Sequence, residues 1–274
     1  MPTTARIRSN PRGSDRRDSI LRLLASDGAV GVEDLAERLD VTASTIRRDL
    51  ARMTAEGTVT RTLGGAVVGV SAAEESPLHA RSRLFRERKD AIGRWAASQI
   101  QDGETVLLDA GTTVGRVAHH LRGRSQLTVV TNGLTSIIEL ADVDDISLIV
   151  LGGEFRHISH GLVGAVTEMN VRRVWAHRVF LGADGLTADR GICEANSVQT
   201  MTKEAMASRA DTVYVLADSS KLGQTPFSAW APLELPWTLV TDAGATDEQL
   251  APFRAVAHIE VVVVSVSSEA DDDE

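Results

Sequence analysis

Cysteine is nearly absent from this chain of 274 residues. The one present, Cys193, excludes an intrachain disulfide and a cysteine-based zinc site, and we expect it to be a small, semi-buried residue. No metal site and no cofactor is called for. Long apolar runs are missing too, with no stretch of about eighteen such residues, so no membrane-spanning helix and no membrane partner are expected. The opening M-P-T-T-A-R-I-R-S-N-P-R lacks the apolar core of a secretory signal, which leads us to expect a cytoplasmic protein. Lysine is scarce, with only Lys89, Lys203 and Lys221 beside 26 arginines. Where charge alone suffices the chain uses arginine, which reserves lysine for places that need a compact ammonium; the other reading is compositional accident. The length suits two domains and a substantial core, and no internal repeat is found.

The most informative stretch that is present is V-T-A-S-T-I-R-R-D-L, Val41 to Leu50. Thr42 is a good N-cap, so a helix is expected from Ala43. Ile46, Leu50 and Met53 then fall on one stripe at i, i+4 and i+7, while Ser44, Arg48 and Arg52, flanked by Thr45 and Arg47, take the opposite side. Alone this is a solvated amphipathic helix. Its neighbours change the reading. Ile20, Leu21, Leu23 and Leu24 mark a first helix ending near Gly28, and Val32, Leu35, Ala36 and Leu39 mark a second, separated from the Thr42 cap by Asp40 and Val41 only. That is the order of a helix-turn-helix, whose last helix offers small hydroxyls and arginine forks to base edges and phosphates. Downstream, Gly57 can end the third helix, and Thr58 to Thr62 and Ala66 to Val68 flank Leu63-Gly64-Gly65 as a hairpin, a wing from which Arg61 can meet the DNA backbone or minor groove.

With these residues in view the chain resembles the DeoR family of transcriptional regulators. The resemblance lies in D-L-A-x-x-L at Asp34 to Leu39, T-I-R-R-D-L at Thr45 to Leu50 and R-T-L-G-G-A at Arg61 to Ala66. The family commonly has histidine where this chain has Leu63, so a contact from that side chain does not carry over. The resemblance implies double-stranded operator DNA as a partner, with Thr42, Ser44, Thr45, Arg47, Arg48, Arg52 and Arg61 as candidate contacts.

The net charge of −9 is unevenly divided. Residues 1–90 hold 16 Lys+Arg and 13 Asp+Glu, whereas the remainder hold 13 and 25. A mildly basic head would supply attraction to phosphate, and an acidic body would discourage indiscriminate binding, although solubility alone explains much of the body's charge. The expected organisation is an arm over 1–14, a winged helix-turn-helix over 15–70, a linker over 71–88 with Pro77 as a stiff point, a second domain over 89–265 and an acidic tail over 266–274. The R-S-R-L-F-R-E-R-K run can extend as a helix into the second domain.

Beyond Asp90 β-rich and helical stretches alternate, which predicts an open α/β domain with a mainly parallel sheet. Each apolar strand candidate stops at small or polar residues. Thr105 to Leu108 runs into D-A-G-T-T, Leu127 to Val130 into Thr131-Asn132-Gly133, Ser147 to Leu151 into Gly152-Gly153, Val179 to Leu181 into G-A-D-G, and Thr212 to Leu216 into A-D-S-S-K. In a parallel sheet these clusters gather at the carboxyl edge, where ligands bind. Asp109 to Thr113 is the best anion cradle: Gly111 admits an anion, Thr112 and Thr113 offer hydroxyls, and a helix starting near Val114 aims free N–H groups at the site. The same residues also make an ordinary helix cap. Asn132, Gly153, Asp184 and Lys221 on the same edge favour the ligand reading, and Arg156 is a second anion contact or a surface residue.

The effector half of the DeoR family is similar to ribose-5-phosphate isomerases, on D-A-G-T-T, T-N, G-G, F-L-G-A-D-G and A-D-S-S-K. That resemblance implies a phosphorylated sugar as effector, held by Asp109, Gly111, Thr112, Thr113, Asn132, Asp184 and Lys221. The head-plus-sensor organisation leads us to expect a repressor and not an enzyme, and a homo-oligomer, because one small head supplies too few contacts for tight specific binding. Two alternatives stand beside it. The domain could retain isomerase chemistry, but no lysine follows Asp184 until Lys203, and Glu194 reads as an exposed loop or helix-start carboxylate. Or the helix-turn-helix could dock on protein, against which Arg47-Arg48 and the wing argue.

Overall fold

Val32, Leu35 and Ala36 recur at helical spacing, and in the computed structural model they are the buried face of a helix over Val32–Arg38. The structure describes residues 16, 17, 19–21, 23, 24, 30–55, 59–62, 65–68 and 75–266, which belong to two compact units, Met1–Ser76 and Pro77–Glu274.

In the first unit Ile20, Leu21 and Leu24 are buried in helical backbone, as their spacing predicts. The Val32–Arg38 helix ends on Leu39. There the Val41 N–H donates to the Ala36 carbonyl at 3.0 Å and the Asp40 N–H to that of Glu37 at 3.2 Å. This pair of bonds closes the helix with Asp40 in the left-handed region, at φ 50°, a conformation aspartate tolerates better than most residues. The chain thereby turns within three residues into the next helix, Ala43–Ala55, whose Ile46, Leu50 and Met53 are buried. Asp49, also buried, accepts from Arg16 Nε at 2.6 Å and ties the first helical segment to the third. The wing strands, Val59–Thr62 and Gly65–Val68, pair antiparallel, and Val30–Gly31 joins them as a third strand that alternation over two residues could not announce. The arm over 1–14, the stop at Gly57, the Leu63-Gly64 turn and residues 267–274 of the acidic tail lie outside the described residues.

Seven strands make the main sheet of the second unit, and every pairing in it is parallel. From edge to edge they run Ile259–Val264, Trp237–Asp242, Ala210–Leu216, Ala176–Leu181, Thr105–Leu108, Leu127–Thr131 and Ile146–Val150. The apolar runs read from the sequence supply five of these. Trp237–Asp242 and Ile259–Val264 complete the sheet. Helices on both faces bury two apolar layers, one around Leu107, Val179 and Val215 and the other around Val106, Leu108 and Phe180. Strand order reverses between Thr105–Leu108 and Ala176–Leu181, so the loops after these two neighbours diverge to opposite faces and leave a crevice at their carboxyl ends.

The linker expected over 71–88 is corrected from Pro77 onward. Leu78–Arg83 is a helix with Leu78 and Ala80 buried, and the Leu78 N–H donates to the Ile158 carbonyl at 3.0 Å. The arginine-rich run is helical in two pieces. Phe85, at φ 53°, breaks it before Arg86–Ser98, letting the short helix fold back over the carboxyl edge instead of continuing straight.

Candidate functional site

On the recognition helix the cap forms as its residue type predicts: Thr42 Oγ1 accepts from the Thr45 N–H at 3.2 Å and lies 2.9 Å from the hydroxyls of Ser44 and Thr45. Thr42, Ser44, Arg47, Arg48 and Arg52 are exposed and Thr45 is half-buried. Arg47 pairs with exposed Glu33 at 2.8 Å, so one of the two adjacent guanidinium groups carries an internal counterion. Arg61 lies in the wing opposite Ala66.

At the crevice of the second unit, Asp109 follows the Thr105–Leu108 strand and is buried. Its backbone N–H donates to Phe180 O at 3.1 Å, extending the strand pairing by one residue. Its carboxylate accepts from the Gly182 N–H at 3.1 Å and from the Lys203 ammonium. Lys203 also donates to Gly182 O at 2.9 Å and lies 3.2 Å from Glu194 Oε1. Burial pulls the Lys203 pKa down, but the charges of Asp109 and Glu194 more than offset it and leave the group raised. Glu194 is buried in the Gly191–Glu194 strand, where desolvation outweighs the attraction of Lys203 and, helped by Asp184 and Asp109, pushes its carboxyl up to about 8. Gln199 Nε2 donates to its second oxygen at 3.1 Å. The expectation of an exposed Glu194 is thus corrected. The helix Ser197–Ala207 turns Lys203 back under the sheet edge, and the ammonium draws the carboxyl inward.

The Asp109–Thr113 loop leads into the N-terminus of a helix. Gly111, at φ 144°, is the N-cap of the helix Thr112–His120 and gives it no side-chain cap hydrogen bond, and a Cβ at Gly111 would meet nothing within 4 Å. The helix begins at Thr112, two residues before the expected start. Thr112 is half-buried, whereas Thr113 is buried on the packed side. Asn132 stands beside this loop on the next strand end. Its Nδ2 donates to Leu162 O at 3.1 Å, and its Oδ1 is buried with no hydrogen-bond partner. Gly133 and Gly161 pack against Ala110 so closely that a Cβ on either would fall within 3 Å of it. The hairpin formed by Glu154–Arg156 and Gly161–Val163 therefore covers the loop.

Across the crevice, Asp184 is buried and accepts from Arg81 Nη1 at 2.7 Å, while its Oδ2 has no hydrogen-bond partner. Lys89 is buried and donates to Arg81 O at 2.6 Å. Desolvation, partly offset by Asp218 and reinforced by Lys221 and Arg81, lowers its pKa to about 8. Lys221 ends the Ser219–Lys221 turn, half-exposed, and among the described residues its ammonium makes no hydrogen bond or ion pair. Asp109, Gly111, Asn132, Asp184 and Lys221 thus come to one sheet edge. Gly153 is tightly packed: a Cβ there would intrude on Thr167 Oγ1 and stand 2.7 Å from Val163 O. Arg156 is half-buried on the hairpin. Arg81, Lys89, Glu194 and Lys203 were not among the expected site residues. Two of them are lysines, and the scarcity of that residue was the signal for them.

Comparison with known proteins gives the family. Residues 16–71 match the DeoR-like helix-turn-helix domain, and residues 85–243 match the DeoR C terminal sensor domain. The chain is 34% identical over 231 residues to the transcriptional repressor AccR of Agrobacterium fabrum, covering 84% of this chain and 90% of that one. It is 31% identical to the glycerol-3-phosphate regulon repressor of Escherichia coli, covering 84% and 91%. Ribose 5-phosphate isomerase A from Neisseria gonorrhoeae aligns over 52% of this chain and 53% of its own at 16% identity with a TM-score of 0.36. Head and sensor match in order along most of the sequence, and the chain belongs to the DeoR family.

Proposed function

We propose that this protein is a cytoplasmic transcriptional repressor of a sugar-utilisation operon, whose affinity for operator DNA is set by a phosphorylated sugar bound at the carboxyl edge of the sensor sheet. The observation that carries the reading is the pairing, across one crevice, of an open helix N-terminus at Gly111–Thr112 with the cationic group of Lys221, Lys89 and Arg81. A phosphate at the cradle gains N–H donors and the positive end of a helix dipole, and the ammonium groups supply the opposite charge. Buried acceptors at Asn132 Oδ1 and Asp184 Oδ2 suit the hydroxyls of a sugar, which would give them the donors they lack. Relatives named as repressors of the glycerol-3-phosphate regulon and of the lactose phosphotransferase system support the ligand class.

In the head, Thr42, Ser44, Thr45, Arg47, Arg48 and Arg52 would face the major groove and phosphates, and Arg61 the flank. One such head buries too little for tight specific binding, so a homo-oligomer presents two recognition helices to half-sites about one helical turn apart. Ligand binding then changes head spacing and releases DNA. Isomerase turnover is not part of this reading: Lys203 is engaged by Asp109 and Gly182, and Glu194 by Gln199, which leaves neither poised toward a substrate. Thermal-shift screening against phosphosugars tests it, since a ligand at 100 times its Kd stabilises by about 2.7 kcal/mol. No shift from any phosphosugar would contradict it.

A further inference from the structure

Ser159 lies in the turn between the hairpin strands Glu154–Arg156 and Gly161–Val163, and only 6% of it is exposed. Its hydroxyl is buried and has no hydrogen-bond partner among the described residues. A hydroxyl in that state forfeits the bonds it would make to water, and native folds keep few such groups without a use for them.

The backbone around Ser159 is pinned to three other segments. The Ile158 carbonyl accepts from the Leu78 N–H at 3.0 Å, the His160 carbonyl accepts from the Leu134 N–H at 2.9 Å, and the Leu162 N–H donates to the Asn132 carbonyl at 2.7 Å. Ser159 is thus held in place before any ligand arrives. It stands beside the Asp109–Thr113 loop: the point where a Cβ on Gly161 would fall is 2.9 Å from Ala110 Cβ and 3.5 Å from Ser159 Oγ. Ala110 precedes Gly111, the N-cap of the helix Thr112–His120.

Asn132 brings the complementary group to the same corner. Its Nδ2 donates to Leu162 O, which only the nitrogen of the amide can do, so the atom left over is the acceptor oxygen, buried and without a partner like Ser159 Oγ. A phosphate dianion has no proton to give to Asn132, and an apolar group satisfies neither residue. Sugar hydroxyls satisfy both, because a hydroxyl donates and accepts.

We propose that Ser159 is a specificity-determining residue of the effector site, whose hydroxyl acts with Asn132 Oδ1 to recognise a hydroxyl of the bound phosphosugar close to its phosphate group. The inference rests on the effector reading above and adds to it the feature that tells a hydroxylated phosphate ester from a bare one.

Thermal-shift titration of the full chain tests it, with methyl phosphate, glycerol 3-phosphate, ribose 5-phosphate, glucose 6-phosphate and fructose 6-phosphate as probes. At least one hydroxylated ester should bind the wild type about tenfold or more tighter than methyl phosphate. Ser159→Ala should reduce that preference roughly five- to tenfold, the share of one hydrogen bond, and leave the Kd of methyl phosphate within about twofold. Ser159→Cys, of similar size but a weaker donor, should lose less. The ligand-free Tm of Ser159→Ala should equal or slightly exceed that of the wild type, because the hydroxyl has no partner to lose. An unchanged preference in Ser159→Ala would overturn the proposal. So would an equal weakening of methyl phosphate, which would place Ser159 on the phosphate, or a loss of ligand-free stability, which would make the hydroxyl structural. No response to any ester would overturn the effector reading itself and this proposal with it.

Discussion

The ammonium of Lys203 is held against the carboxylate of Asp109, joining a residue at the tip of the first sensor strand to one on a helix 94 positions later. Glu194, on the other side of Lys203, completes a buried trio at the point where strand order reverses. With Glu194 protonated near neutral pH the trio carries no net charge, which is the arrangement that burial favours.

Removing the cation alone leaves two carboxyl groups facing each other without water. Lys203→Met should cost about 3–5 kcal/mol of stability, the usual loss when one partner of a buried pair is deleted. Asp109→Asn added to it should recover a large part of that loss. Urea unfolding of the single and double variants checks both, and a Lys203→Met protein as stable as the wild type would show that the trio contributes nothing.

Glu194 also gives stability a pH dependence. Its carboxyl is raised from 4.5 to about 8 in the folded chain, so between these values the folded state holds a proton that the unfolded state has lost. Its contribution is therefore full below pH 4.5 and is lost as pH rises towards 8. Glu194→Gln, which mimics the protonated acid, should flatten the fall of Tm across that window. An unchanged slope would place the titration elsewhere.

Gly153 separates packing from binding. A side chain there would collide with Thr167, at a φ of 119° that L residues avoid, so Gly153→Ala should destabilise by roughly 1–3 kcal/mol. Ligand affinity of the folded fraction, measured by calorimetry, should stay within about twofold; a tenfold loss would return Gly153 to the binding site.

On the recognition helix, Arg48→Ala should weaken operator binding by about 1–3 kcal/mol if it reads a base, with the loss confined to the specific site. Glu33→Gln should strengthen binding to any duplex several-fold, because Glu33 competes with phosphate for Arg47. Fluorescence anisotropy on specific and random duplexes distinguishes the two, and a Glu33→Gln protein of unchanged affinity would exclude Arg47 from the interface.

Much of this architecture is legible in short-range signals. The i, i+4, i+7 stripe of Ile46, Leu50 and Met53 and the Thr42 cap define the recognition helix, because both depend on neighbours within two turns. The strand tips at Asp109, Asn132 and Asp184 are legible because apolar runs end there abruptly. Other features depend on distant partners. Nothing near Lys203 marks it as buried, since its partners Asp109 and Gly182 lie far away in sequence. Residues 77–88 read as a linker because their apolar positions, Leu78, Ala80 and Leu84, are few among arginines. Their burial is settled by the sheet edge they cover. Trp237–Asp242 carries the same kind of signal, running into T-D-A-G at Thr241 to Gly244, whereas Ile259–Val264 is marked only by its apolar run.

The most direct test of the central claim is a titration of phosphosugars into the complex of the full-length protein with its operator, followed by anisotropy at fixed salt. At least one phosphosugar should raise the operator Kd by tenfold or more, its unphosphorylated parent should not, and Lys221→Ala should blunt the response while leaving ligand-free operator affinity intact. An operator Kd that no phosphosugar moves would contradict the account.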